Sequence, residues 1–561
     1  MQRIHTPTPK SNDGWATDLL VLTLGLGLLL FLFLGPRPLF VPDEGRYAEI
    51  AREMAVSGDF ITPTLNGIKY FEKPALFYWL GAAVIKFAGI NITALRMINA
   101  VIALLGCLLT YAVGRQLFNR ATGIIASIIL GTSTLYFVMA HMISLDLPVT
   151  VFIAASLYGF LLATQASTPK ASYYLYGAAI AAALAVLTKG LIGIVFPAMI
   201  VTAWLTLMNE WRQLKRLPIF SAFVLFLVVA TPWHLLVNYY NPEFFHFYFI
   251  EQHFLRYATP GIGHYQPAWF FIPILIAGFF PWIAFLPQTI VTALPRRWQD
   301  RQHYACELFF CLWAILIFTF FSFSKSKLIP YLLPILPALA LLTGRYVAAQ
   351  LQHATRSLYA GYACLVLLSA VITYYLWNLS ITVTQPVEAT LYLRASLVCL
   401  LVGAILSMVS VIKRPLLALS ILTLSASLFL VISHASVRFI DTRTIQPLAM
   451  TLKPLLRPGD EVITYNQYYQ DLPFYLERKV TILNWRNELT FGMEHQDTED
   501  WMIDDNKFWN RWHSPQRVFM IMSKEEYQRF QQRYPGEIMV LISETQNNTL
   551  VTNLPLVVSP T

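Results

Sequence analysis

Apolar runs of about twenty residues, parted by short polar breaks, recur from residue 19 to about residue 433. A run of that length, at about 1.5 Å rise per residue, spans a hydrocarbon core of about 30 Å as a helix. The first covers 19–34. It follows a polar stretch with Arg3 and Lys10 and is followed by GPRPLFVPDE, with no small-x-small cleavage site. It is expected to be an uncleaved anchor. Further spans are expected at 97–114, 122–140, 146–164, 172–188, 190–208, 218–237, 268–288, 305–323, 330–348, 357–377, 394–412 and 416–433, which makes thirteen.

Two stretches break this pattern. Residues 43–57 interleave Tyr47, Ile50, Met54 and Val56 with charges, as suits a short helix lying at the membrane surface. Residues 75–90 are apolar but short, so a second juxtamembrane helix is expected there. From about residue 436 the material changes. Short β-like runs at 461–465, 479–483, 517–522, 539–542 and 550–552 alternate with helical stretches such as 524–533. The fold class expected is a polytopic α-helical membrane protein over 1–435, with an outer loop at 37–96, followed by a soluble α/β domain over 436–561.

Composition agrees. Of 561 residues, 56% are hydrophobic and 13% charged, against about a quarter charged in soluble proteins. The net charge of +9 is not spread evenly: residues 435–561 hold 13 basic against 16 acidic side chains, so the excess belongs to the membrane part. With the N-terminus inside, the inner segments carry 15 Lys and Arg, while the outer ones beyond the first loop carry Lys189, Arg256, Lys325, Lys327 and Arg394. The bias follows the positive-inside rule and accounts for the basicity without nucleic acid. It also puts the loop at 40–74 and the tail on one, outer, side. The five cysteines lie in or beside apolar runs and form no C-x-x-C pair, so neither a zinc site nor a disulfide framework is expected. No internal repeat of the kind that builds secondary transporters is visible.

The outer side then collects the unusual polar residues: Asp43, Glu44, Glu72, Lys73, His141, Asp146, Lys189, Glu243, His246, Glu251, His253, Arg256, His264, Lys325, Lys327 and Tyr331. Ionisable groups at the ends of apolar helices are costly and mark function. Asp43 and Glu44 suit a general base, a metal ligand or an acceptor-positioning group, and equally a helix N-terminus, where acids are favoured. Glu72-Lys73 suits a site or a surface ion pair. Asp146 heads an apolar span with no cation beside it in sequence. His253 and Arg256 share a face if helical, and arginine grips phosphate bidentately. Lys325 and Lys327 suit phosphate contact or simple snorkelling.

PDEGRYAEIAREM, the G-D-F-x-x-P element, YFEKP, SLDLP at 144–148, LTKG at 187–190, PEFFHFYFIEQHFLRY at 242–257 and FSFSKSKLIPYLLP at 321–334 together resemble the bacterial 4-amino-4-deoxy-L-arabinose transferases of lipid A. These are polyprenyl-phosphate-sugar glycosyltransferases of the GT-C fold, related to protein O-mannosyltransferases. The resemblance runs collinearly over about 40–345, and over the tail in position and character only. It implies a transferase in the inner membrane of a Gram-negative bacterium, with its site and tail periplasmic. The donor would be a sugar on undecaprenyl phosphate and the acceptor lipid A, changing lipopolysaccharide charge and polymyxin resistance. Asp43 would be the main catalytic carboxylate, with Glu44 beside it and Asp146 a second acid. Lys73, Arg256, Tyr331 and Lys327 would bind the carrier phosphate. A divalent metal, Zn or Mg, is the one cofactor it admits, at Glu72, Glu251 and His253, although Glu251 stands where histidine is found among relatives. Transfer of another polyprenyl-linked sugar, such as galactosamine or a hexose, to lipid A, a glycan or a protein remains an alternative. A lipid-linked sugar transporter would spread polar residues through the depth of its spans, and here they gather at one side.

Overall fold

A computed structural model of the chain describes residues 14–258, 265–352, 356–382, 386–439 and 443–555. Arg3, Lys10 and His264 lie outside these. The chain forms two compact units, each assembled from separate stretches: 1–34, 96–236 and 245–440 make the first, and 35–95, 237–244 and 441–561 the second.

The first unit is helical. Among the described residues nine helices are long and apolar enough to cross a membrane, or eleven if each of two bent pairs is one span. The two remaining expected spans are the 17-residue helices Trp15–Phe31 and Ile192–Met208, each about 26 Å long and within a turn of the core thickness. The bends have local causes. Arg120–Gly131 and Thr134–Ala140 meet at 65°, and Ala268–Gly278 and Trp282–Ala293 at 103°. Pro281 ends one helix by denying it an N–H. At the other break Thr132 and Ser133 donate their hydroxyls to the carbonyls of Ile128 and Ile129. The two breaks satisfy each other: Trp282 Nε1 donates to Thr132 Oγ1 at 2.9 Å, and the Thr134 N–H to Phe280 O at 3.1 Å. Apolar surroundings demand such pairing of freed backbone groups.

Charge inside this unit is also paired. Asp18, 5% exposed, accepts from Tyr111, Arg115 and Arg120 at 2.6–2.8 Å. The network fastens Trp15–Phe31 to Ile92–Leu117 and Arg120–Gly131. Two of the expected inner-loop arginines therefore also hold helices together.

The second unit joins the first long loop to the tail. Helix Asp43–Ser57 ends at Gly58, whose φ of 75° needs glycine. Helix Leu76–Ala88 has 13 residues, about 20 Å, too short to cross. Between them β1 (Thr64–Leu65) and β2 (Ile68–Lys69) form a hairpin. Its Asn66-Gly67 turn has φ of 54° and 73°, the pair a type I′ turn requires. The tail supplies β3 (Glu461–Tyr465), β4 (Thr481–Leu483), β5 (Met502–Ile503), β6 (Val518–Ser523), β7 (Val540–Glu544) and β8 (Asn548–Thr552). The sheet order is β5-β4-β3-β6-β8-β7, with the first four strands parallel and β8 and β7 antiparallel. All five expected strands are present, and β5 is additional. Loop and tail are stitched together. Asn66 exchanges two hydrogen bonds with the Val480 backbone at 2.9 Å, Trp501 Nε1 donates to Asn66 O, and Gln496 bonds Gly67 O and Lys69 N.

Candidate active site

Each unit holds a cluster of the residues named from the sequence. In the second, Asp43 opens helix Asp43–Ser57 with its side chain 46% exposed, 3.1 Å from Arg46 Nη1. Arg46 Nη2 pairs with Glu488 from the tail. Glu488 is itself held by Gln470 Nε2 at 2.8 Å. Burial pushes the Glu488 carboxyl above its ordinary range, with Glu72 and Asp43 adding to the rise and Arg46 opposing it. Lys73 Nζ donates to its neighbour Glu72's carbonyl at 2.8 Å.

Glu44, expected beside Asp43 as a catalytic acid, has a different task. It is fully buried, pairs with Arg37 Nη2 at 2.7 Å and accepts the Phe40 N–H at 2.7 Å. It fixes the chain entering the helix. Glu49 is likewise buried, bidentate on Arg52 at 2.6 and 2.7 Å. Most of the charge in 40–57 therefore builds the loop, and Asp43 is the acid it presents.

In the first unit Asp146 heads helix Asp146–Gln165. Its carboxylate pairs with Lys189 Nζ and accepts from Ser144 Oγ at 3.1 Å. The Lys189 ammonium lies 4.9 Å from the Tyr331 ring centre, so Asp146, Lys189 and Tyr331 form one group. The next residue, Gly190, has φ of 92°, and a Cβ there would stand 2.3 Å from His253 Nε2. The Leu191 N–H donates to that nitrogen at 3.3 Å.

His246–Leu255 is a π-helix. Its wider turn brings residues five apart together: His246 lies 3.3 Å from Glu251, and His253 Nδ1 lies 2.6 Å from Tyr248 O. The shared face expected for His253 and Arg256 assumed α-helical spacing; Arg256 instead donates to Gln252 Oε1 at 2.9 Å. Lys327, expected on the carrier phosphate, is 3% exposed and gives its ammonium to the carbonyls of Gln266 and Ser324. Burial and the nearby Lys325 push its pKa down. It braces the loop, while Lys325 is the exposed lysine of the pair.

The metal reading does not fit. Among the described residues no three His, Cys, Asp or Glu side chains gather as a metal site. His253 has one nitrogen on a carbonyl and the other on an N–H, so its lone pair is already engaged. Glu251 lies 3.3 Å from His246.

Lys189 stood among the outer polar residues of the sequence but was given no role, and two further participants were not singled out there. Arg46 was visible as a helical neighbour of Asp43. Nothing local marks Glu488, whose partner lies more than 400 positions away in the chain.

A family model described as dolichyl-phosphate-mannose-protein mannosyltransferase matches residues 40–248, and one described as aminoarabinose transferase C-terminal domain matches 448–553. The undecaprenyl phosphate-alpha-4-amino-4-deoxy-L-arabinose arabinosyl transferase of Erwinia tasmaniensis is 32% identical over 316 residues, 55% of this chain and 56% of that protein. That match spans just over half of the relative. The protein so described from Pectobacterium carotovorum subsp. carotovorum is 29% identical over 491 residues, 85% of this chain and 86% of that one. The crystal structure of ArnT from Cupriavidus metallidurans bound to undecaprenyl phosphate superposes with a TM-score of 0.87 at 25% identity, covering 98% of this chain and 100% of that one. The chain has the GT-C fold of that ArnT structure over nearly its whole length and is similar in sequence to the aminoarabinose transferases.

Proposed function

We propose that the protein transfers 4-amino-4-deoxy-L-arabinose from undecaprenyl phosphate to a phosphate of lipid A, at the periplasmic face of the inner membrane. The observation that carries this reading is the match over nearly the whole chain to the Cupriavidus protein, which is described bound to undecaprenyl phosphate. Breaking the anomeric C–O bond leaves a phosphate monoester on the carrier. Lys73 and Arg256, with the Tyr331 hydroxyl, are assigned to that phosphate, where they stabilise the charge that develops as the sugar departs. The acceptor oxygen is already anionic near neutral pH, so a strong base is not required. Asp43 is assigned to orienting the acceptor and to stabilising positive charge at the sugar's anomeric carbon. Asp146 sets Lys189 beside Tyr331. Glu44 and Lys327 are assigned structural roles only. The transferred amine would offset negative charge on lipid A and weaken the attraction of cationic peptides such as polymyxin.

Mass spectrometry of lipid A from cells with and without the protein tests the reading. A mass increase equal to one 4-amino-4-deoxypentose residue is expected. A different increment selects another sugar, and no change removes lipid A as acceptor. Asp43→Asn is expected to abolish transfer while leaving carrier binding in place. Normal transfer by that variant removes Asp43 from the chemistry.

A further inference from the structure

Helices Val387–Val411 and Pro415–Val437 lie antiparallel in the first unit and approach closely where Gly403 meets Ser425. Between them runs an open groove of about 670 Å³, within the roughly 300–1,000 Å³ of ligand sites. Its walls include Val398, Val402, Leu406, Leu424 and Leu428, each 41–62% exposed. At one end of the groove stands Arg394.

That end has the chemistry of a lipid headgroup boundary. The Arg394 guanidinium lies 4.9 Å from the Trp377 ring centre, with Nε donating to Ser380 Oγ at 3.1 Å. A second arginine, Arg438, caps the end of the partner helix, touches Tyr392 Oη at 3.4 Å and lies over the Phe439 ring. Trp and Tyr beside arginine mark the membrane–water interface. Among the described residues no carboxylate pairs with either arginine. The nearest acid on the same helix, Glu388, is six residues from Arg394, about 120° round the helix. Arg394 also stands on the expected outer side, where the positive-inside bias disfavours arginine, so its presence there calls for an anionic partner.

The groove runs from Arg394 to Leu406, about 18 Å of helix, close to the depth of one leaflet of a core about 30 Å thick. One leaflet is the reach of a glycerophospholipid acyl chain, whereas a polyprenyl chain is much longer. We infer that this groove binds an anionic glycerophospholipid, with its phosphate on the Nη edge of Arg394 and one acyl chain between the two helices. The site is separate from the residues assigned to sugar transfer, and the inference stands whether or not that assignment holds. Basic pockets between spans recognise lipid phosphates in this way.

Native mass spectrometry of the full chain, with phosphatidylglycerol, chain-matched phosphatidylcholine and undecaprenyl phosphate as probes, tests it. Wild type is expected to retain phosphatidylglycerol about tenfold over phosphatidylcholine, the worth of one charge-assisted hydrogen bond. Arg394→Gln should erase that preference and Arg394→Lys should keep most of it. Val402→Trp, which fills the groove from its lipid-facing wall, should weaken retention of both phospholipids. Unchanged sugar transfer by these variants would show that they are folded. Phosphatidylglycerol retention within twofold of wild type in both Arg394→Gln and Val402→Trp overturns the inference. So does displacement of phosphatidylglycerol by undecaprenyl phosphate in an Arg394-dependent manner, or a dimer that Val402→Trp dissociates.

Discussion

Arg46 divides its guanidinium between Asp43 on Nη1 and Glu488 on Nη2, so the rotamer of the exposed acid depends on a buried acid of the tail. Glu488→Gln keeps the shape and removes the charge. If Asp43 acts in the transfer step, kcat should fall between about tenfold and a hundredfold, as loss of positioning does, with KM for the carrier changing less than about twofold. An unchanged kcat would leave Asp43 independent of the tail. The same glutamate carries a pH signature. Its folded pKa is raised above 4.5, so between 4.5 and the raised value the folded state holds more protons than the unfolded, and stability falls as pH rises through that window. Thermal unfolding across this range should show the slope in wild type and lose it in Glu488→Gln. Asp43, Asp146, Lys73 and Arg256 could be listed as candidates from sequence because ionisable residues near apolar helices are costly anywhere. Burial was not legible in the same way. Glu44 and Lys327 have the residue types of a site, but the hydrogen bonds that consume them come from chain folded over them.

At the scale of elements, the hairpin between helices Asp43–Ser57 and Leu76–Ala88 is the joint between loop and tail. Its Asn-Gly signature stood in the sequence, between strands of two residues each, too short to show alternation. The Asn66 side chain satisfies both backbone groups of Val480. Asn66→Ala leaves that buried N–H and C=O without partners, which should cost about 2–4 kcal/mol and open the loop to limited proteolysis. Gly67→Ala should cost about 1–2 kcal/mol through its left-handed backbone, and its Cβ would meet the Lys479 side chain at 2.4 Å. Gly45 answers a different constraint, because a Cβ there would stand 2.7 Å from Asp471 N. Backbone cannot yield as a lysine tip can, so Gly45→Ala should cost about 1–3 kcal/mol. Melting temperatures of the variants would rank the three positions. The π-helix shows the opposite limit of sequence reading. Residues 246–255 carry no local mark of a wider turn, and the N–H that reaches His253 Nε2 comes from Leu191, far away in sequence.

For the whole molecule, the arithmetic of crossings ties the spans to the second unit. That unit is built from 35–95, 237–244 and 441–561, which can meet only if they emerge on one side of the membrane. Counting Trp15–Phe31, each bent pair and Ile192–Met208 as single spans, these stretches follow the first, seventh and thirteenth, all odd. Were the 13-residue helix Leu76–Ala88 a further span, parity would place the tail opposite the beginning of the loop it packs against. The loop charges lead to the same arrangement independently. The membrane part was legible because hydropathy and charge are local signals. The assembly of the second unit was not, because a boundary drawn at 435 follows composition while the contacts join residues hundreds of positions apart. Cysteine labelling checks the topology. In a background with the five free cysteines replaced, the exposed positions Lys325→Cys and Arg486→Cys should react with a membrane-impermeant maleimide at the periplasmic surface. Lys215→Cys and Lys413→Cys should react only after the inner membrane is opened. Labelling of Lys325→Cys and Lys413→Cys from the same side would overturn the crossing count, since three spans separate them.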